Sequence, residues 1–332
     1  MNFSPIIRNR EVLINTSPAL RYADGEDFAA WQAKAREKLV ELIGLDDFVK
    51  CDSEFEILGT EATDSFVATT FKMKSEKEYS FTSTLYIPLG KEGKLPLAVC
   101  LFGHSDDLAS AFLGEAGRDL CAQALSRGYC ALALEQRDFD NCFASKDIIL
   151  PEAPTRVTWC ACYRSSMRAI IMGRTTIAER VWDVMRAIDA VSANFDNVDT
   201  NNICIIGNSG NATAAYYAAC IDERIGSVIA SSGVATWESS IAKHSHCICN
   251  YIPNVVPYFD MGDIGGLIAP RKLVLQGAEG DEWFPVSGLK EAYALIEKAY
   301  AAAGAPDACK LQIFDGDAYL RADEAWDAVM KA

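Results

Sequence analysis

The chain has 332 residues, half of them hydrophobic and 23% charged, with a formal net charge of −15. That composition supplies enough apolar material for a sheet covered by helices on both faces, and argues against disorder. The acidic excess argues against nucleic acid or an anionic membrane as the main partner, because both demand a basic face. No run reaches the roughly 18 to 20 apolar residues of a spanning helix. The start, Met1 to Pro5, lacks the basic stretch and apolar core of a signal peptide. A cytoplasmic location is the resulting expectation. The 12 cysteines, among them Cys100, Cys130, Cys204 and Cys220, are spread through expected strands and helices and read as reduced, mostly buried thiols.

Residues 27 to 43 place Phe28, Trp31, Ala35, Leu39, Leu42 and Ile43 near helical spacing, with Gly44 set to end the helix. Between about 54 and 88, β-rich runs at 66 to 71 and 81 to 87 are broken by turn and charged residues, which predicts antiparallel hairpins at one sheet edge. From Leu95 onward the pattern changes to short apolar runs, each followed by a turn and a helical segment, as expected of buried parallel strands. The runs are Leu97 to Phe102, Tyr129 to Leu134, Ile203 to Ile206, Ser227 to Ala230, Lys272 to Leu275 and Lys310 to Phe314. The predicted fold class is α/β, a mostly parallel doubly wound sheet with an antiparallel N-terminal edge. No linker marks a second domain, so residues 1–50 read as a helical extension packed on a main domain of residues 51–332.

Thr176, Ile177, Ala178 and Glu179 fit a capping box, followed by Val181, Met185, Ile188 and Val191 at helical spacing. On that helix, Arg180 and Asp183 read as a structural ion pair. The stretch from about 136 to 175, which holds Cys160, Cys162 and Tyr163, has weaker periodicity and reads as an insertion over the carboxyl edge of the sheet.

The strongest chemical signal is the run Ile203 to Thr213: an apolar strand, the small-residue turn Gly207-Asn208-Ser209-Gly210, then an Ala-rich helix. A serine nucleophile needs that strained strand-to-helix turn to project its hydroxyl above the sheet, and small neighbours let the backbones pack. The helix start also brings N–H groups and a positive dipole end to a developing oxyanion. Asn211 stands where the G-x-S-x-G motif has its second glycine, so the match is imperfect, and a turn without chemistry is the competing reading.

These residues and several others resemble the α/β-hydrolases of the acetyl xylan esterase and dienelactone hydrolase type, over residues 27 to 331. The likeness rests on Leu101 to Ser105, Gly173 to Thr175, Arg180 to Asp183, Arg186 to Asp189, the Ser209 turn and Ala219 to Ile225. Asn250 to Pro253, Leu267 to Arg271 and Asp281 to Pro285 complete it. The resemblance implies an esterase-type hydrolase on a small ester such as an acetylated carbohydrate, with Ser209 as nucleophile and Asp281 as the acid that orients a histidine. It implies oxyanion donors at Gly210 and in the Gly103-His104 turn. Trp283 and Asn208 are the substrate-binding candidates. No cofactor and no metal are expected, and a homo-oligomer is left open.

The histidine itself is missing. The resemblance places it after the last strand, where the chain reads Asp315-Gly316-Asp317-Ala318, so its position falls on Asp317 or Ala318. The whole chain holds three histidines, His104, His244 and His246. The last two read as local features of their segment rather than a relocated base. Asp317 is the candidate substitute, although a carboxylate is a weak base unless burial or a second carboxylate raises its proton affinity. Losing a triad histidine costs about 10⁶ in turnover. A degenerate hydrolase kept as a binding or structural module is therefore the alternative, and whether the loss is natural or engineered stays open.

His244, His246, Cys247 and Cys249 also invite a zinc reading, but their spacings of one residue or none are shorter than the usual pairs, and no second cluster stands out beyond Cys160 and Cys162. Trp182, Trp237 and Tyr251 read as core aromatics, and Trp283 as the one that faces a pocket.

Overall fold

The computed structural model describes residues 4–102, 119–137 and 161–330. Nine strands form one sheet: β1 (Glu56–Ala62), β2 (Phe66–Glu76), β3 (Tyr79–Pro88), β4 (Leu95–Leu101), β5 (Cys130–Leu134), β6 (Val198–Asn208), β7 (Ile225–Ser231), β8 (Lys272–Ala278) and β9 (Cys309–Phe314). Nine helices accompany it among the described residues: α1 (Pro5–Ile14), α2 (Phe28–Ile43), α3 (Leu120–Ser126), α4 (Ala161–Ile171), α5 (Thr176–Asn194), α6 (Gly210–Ile221), α7 (Met261–Gly265), α8 (Val286–Ala302) and α9 (Ala322–Met330).

The strand order is β1-β2-β3-β5-β4-β6-β7-β8-β9. β1 to β3 are antiparallel hairpins and β3 meets β5 antiparallel, whereas β4 to β9 run parallel. The hairpin edge and all six apolar runs expected of parallel strands are present. The sheet steps one way from β4 to β5, then crosses back to β6, so the order reverses between β4 and β6. Open α/β sheets bind ligands outside the strand carboxyl ends at such a reversal.

Side chains alternate across the parallel strands and feed two cores. Leu97, Val99, Leu101, Ile203, Ile205, Leu273 and Leu275 face one side, where α2, α5, α6 and α8 pack. Ala98, Cys100, Cys204, Ile206, Ile229 and Val274 face the other, against α3 and α9, with Trp326 fully buried there. This is the two-period of a strand buried on both faces. On α2, the buried stripe Trp31, Ala35, Leu39 and Ile43 joins the first core. Asp27 caps its start through Ala30 N–H, and left-handed Gly44 ends it.

Two local expectations are corrected. The cap of α5 is Thr175, one residue earlier than expected, accepting from Ala178 N–H at 3.1 Å; Thr176 instead meets the Ser166 hydroxyl at 2.6 Å. Arg180 and Asp183 do not form the helix's ion pair. Asp183 is fully buried and held at both oxygens by Arg137, at 2.7 and 2.8 Å, a bidentate contact from just beyond β5. Burial raises the Asp183 pKa against that pairing. The 136 to 175 insertion is described only in part: residues 138–160, including Cys160, lie outside the described residues, and α4 follows them.

Leu39→Ala removes a fully buried side chain from the α2 stripe. It is expected to cost about 2–5 kcal/mol, seen as a lower urea midpoint with unchanged slope.

Candidate active site

Ser209 stands between β6 and α6 with φ 58° and ψ −136°, a conformation that non-glycine residues adopt only when the surroundings impose it. The imposition is visible. Its N–H donates to Ser231 O at 2.8 Å, and its carbonyl accepts from Ala212 N–H at 2.8 Å. On either side the backbones approach too closely for side chains: a Cβ on Gly207 would lie 2.4 Å from Asn211 O, and one on Gly233 2.4 Å from Ala212 Cβ. The serine itself is exposed at the tip of this turn. Gly210 opens α6, where first-turn N–H groups have no acceptor within the helix and the dipole is positive. An anion forming on a carbonyl attacked by Ser209 would meet those donors.

The sheet register carries this row across to Asp281. Asn208 pairs with Ser231, Ser231 with Gln276, and Ala278 with Phe314, and beyond the strands Gly280 N–H donates to Gly316 O at 3.0 Å. Ser209, Asp281 and the Gly316-Asp317 turn therefore follow three strands, β6, β8 and β9, at one carboxyl edge. With strands about 4.8 Å apart, the β6 and β8 axes are roughly 10 Å apart. Gly280 fixes the third member: a Cβ there would lie 2.6 Å from Gly316 O and 3.9 Å from Asp317 N. Asp317 is exposed and Ala318 half-buried.

Asp281 is 8% exposed. Its Oδ1 accepts from the N–H groups of Trp283 and Phe284 at 2.9 and 3.0 Å, while Oδ2, also buried, has no hydrogen-bond partner among the described residues. A buried carboxylate oxygen without a donor is costly, and one beside a serine turn is the arrangement that would orient an imidazole. The amide of Asn211, fully buried beside the serine, and Oδ1 of Asn208 are likewise unpartnered among the described residues. Among the described residues, Asn208 and Asn211 thus leave polar atoms unpartnered next to Ser209, a mark of a functional site.

The other predicted residues divide. Gly103 and His104 lie outside the described residues. Trp283 is 53% exposed at the rim beside Asp281, whereas Trp237 is buried with its Nε1–H on Phe259 O. Trp182 packs on Phe48 and donates to Ser75 O, and the Tyr251 hydroxyl donates to Ile241 O. His246 stacks edge-on against Trp283 and Phe284, each with centroids 5.1 Å away. Its Nε2 lies 3.1 Å from both the Ser240 hydroxyl and Trp283 O, so that nitrogen serves the rim. Burial lowers the His246 pKa from the ordinary imidazole value. His244 packs beside the same tryptophan at 5.7 Å.

One cluster combines residues that the zinc reading named but set aside on spacing. Cys162 crosses to Cys247 and Cys249, with all three sulfurs within 4.8 Å of one another and Cys162 to Cys247 at 3.2 Å. Arg180, fully buried, reaches Cys162 Sγ through Nη2 at 3.5 Å. Hydrogen bonds from Cys162 and Cys247, with Arg180 adjacent, lower the Cys249 pKa well below that of an ordinary thiol. The sequence carries both halves, at 160 to 162 and 247 to 249, but not their proximity.

Solved structures of the same architecture cover nearly all of the chain. A structure described as a putative acetyl xylan esterase from Bacteroides fragilis matches with TM-score 0.75 at 16% identity, covering 94% of this chain and 83% of that one. The fold is that of the α/β-hydrolases. A glucuronoyl esterase from Solibacter usitatus matches with TM-score 0.67 at 16% identity, covering 95% of this chain and 97% of that one. A glucuronoyl esterase of carbohydrate esterase family 15 from Caldicellulosiruptor kristjansonii matches with TM-score 0.62 at 16% identity over 95% and 88%. No protein-family model matches the chain, and no curated protein sequence matches it. Ser209 lies in the turn that follows β6, and Asp281 in the turn that follows β8.

Two outcomes follow from this geometry. Ser209→Gly releases the backbone strain and is expected to stabilise the fold by about 1 kcal/mol, measured by urea unfolding. For His246 the sign is fixed by its lowered pKa: the folded chain binds fewer protons there than unfolded imidazole, whose pKa is about 6.5. Its stabilising contribution is present above about that pH and is lost as pH falls through the lower folded value. His246→Gln should flatten the loss of urea midpoint between about pH 7 and about pH 5.

Proposed function

We propose that this chain is a carboxylic-ester hydrolase of the carbohydrate-esterase kind, acting through Ser209 on a small acyl ester such as an acetylated sugar. The observation that carries the reading is the strained, exposed Ser209 in one edge row with Asp281, whose buried Oδ2 has no partner among the described residues. The names of the structural neighbours, acetyl xylan esterase and glucuronoyl esterase, support the substrate class.

In the reaction, Ser209 Oγ attacks the ester carbonyl and its proton passes to a base. The carbonyl oxygen takes the charge and is met by Gly210 N–H, with a second donor expected from Gly103 or His104, which lie outside the described residues. Collapse breaks the bond to the alcohol, which leaves with the proton, and water then cleaves the acyl group from Ser209 by the same steps in reverse. The base is the weak link. Asp317 or Ala318 stands where the resemblance to esterases puts a histidine, and a carboxylate at that turn accepts a proton less readily than imidazole. Slow turnover through Asp317 is the expected behaviour. Trp283, exposed beside Asp281, forms the rim against which the sugar or acyl group rests.

A second reading has the same chain as a binding module on a hydrolase scaffold. It is favoured by the identity of residues 317 and 318, aspartate and alanine. Hydrolysis of p-nitrophenyl acetate separates the two. Slow turnover that vanishes in Ser209→Ala and falls in Asp317→Asn supports the esterase. No turnover in the parent, with a gain of at least tenfold in kcat/KM in Ala318→His or Asp317→His, assigns the binding reading to the present chain and the esterase to its scaffold. A restored histidine should give activity that rises with pH through about 6.5.

A further inference from the structure

The three thiols gathered beside Arg180 take no part in ester chemistry. Cys162 lies in the first turn of α4, while Cys247 and Cys249 flank Ile248 in the segment that follows His246. Their sulfurs fall within 4.8 Å of one another, the nearest pair at 3.2 Å. Metal–thiolate bonds of about 2.3 Å in a tetrahedral arrangement set sulfurs about 3.8 Å apart, a value inside that span. Cys162 and Cys249 are fully buried and Cys247 is half-buried, which leaves one side for entry.

Charge sharpens the case. Arg180 cannot shed its proton, and a fully buried guanidinium requires an anion nearby. The carboxylate one turn along its helix, Asp183, is held by Arg137, and the Nη2 of Arg180 donates to Arg137 O at 3.2 Å and reaches Cys162 Sγ at 3.5 Å. We propose that Cys162, Cys247 and Cys249 form a site for a thiophilic divalent cation of the zinc class, with Arg180 donating to the Cys162 sulfur from outside the coordination shell. On binding, three metal–sulfur bonds form and the remaining thiol protons leave to solvent. Three thiolates, one divalent cation and one guanidinium then sum to zero, so the buried cluster carries no net charge. Sulfur donors exclude magnesium and calcium, which take oxygen. Among the described residues no fourth ligand joins the three sulfurs, and the fourth position, on the Cys247 side, is left to water. A cation held here ties α4 to the segment whose His246 packs on Trp283, and so braces the rim beside Asp281.

The test uses the purified full-length chain, reduced and stripped of metal, titrated with cobalt(II) and then with zinc(II). Expected are thiolate-to-cobalt charge-transfer absorption that saturates at one equivalent, its loss on adding zinc, and retention of one zinc per chain by elemental analysis. Cys162→Ser should weaken cobalt binding at least tenfold, whereas Cys51→Ser, altered at a cysteine outside the cluster, should leave it unchanged. A reduced chain that gives no charge-transfer band overturns the site, as does a band unaffected by Cys162→Ser. Recovery of a Cys162–Cys247 disulfide from the unreduced chain, with no zinc bound, also overturns it and assigns the cluster to thiol oxidation. The titration of the unaltered chain decides the matter even if a cysteine variant fails to fold.

Discussion

Helix α6 rests on two glycines, one at the end of β6 and one just beyond β7. A single carbon at Gly207 or Gly233 would collide with the first turn of that helix. Because neither carbon is there, the helix begins close against the strand ends, and the one residue between strand and helix is pushed into a positive φ with its side chain outward. That residue is Ser209. The turn, the exposed hydroxyl and the orientation of the first-turn N–H groups are one geometric consequence of how tightly the helix seats on the sheet.

The second member of the edge row is arranged by hydrogen bonding rather than by close packing. Asp281 is locked by the N–H groups of Trp283 and Phe284 at one oxygen, which aims the other inward, and Gly280 lets the turn after β9 close against it. The same segment reaches outward through Trp283 to His246 and Ser240. Asp281, Trp283 and the turn after β9 thus form one connected body, in which residues 317 and 318 follow a glycine already held against Gly280.

Most of the architecture was legible because buried parallel strands need uninterrupted apolar runs and their connections need turns, and both are local. The serine turn was legible for the same reason: strand, small residues and helix follow one another within Ile203 to Thr213. What escaped depends on distant partners. The capping box at Thr176 met the local rule, yet Thr175 took the cap while Thr176 bonded Ser166 on the neighbouring helix. The ion pair of Arg180 with Asp183 met the i, i+3 rule, but Arg137, far away in sequence, holds the carboxylate. Cys162 and Cys247 are brought together by the fold alone. That Asp281 Oδ2 has no partner among the described residues likewise needs three dimensions to be seen.

β1 ends the sheet with every residue exposed, Ile57 and Leu58 included. A bare strand of that kind is a template on which another chain can pair through its backbone. Here the pairing with β2 slips between Ile57 and Gly59, and Glu56 and Glu61 lie toward the two ends of the strand. Two copies meeting antiparallel along β1 would set acidic side chains near one another across an interrupted ladder. Slipped register and acidic ends both weigh against sheet growing from one molecule to the next along this flank.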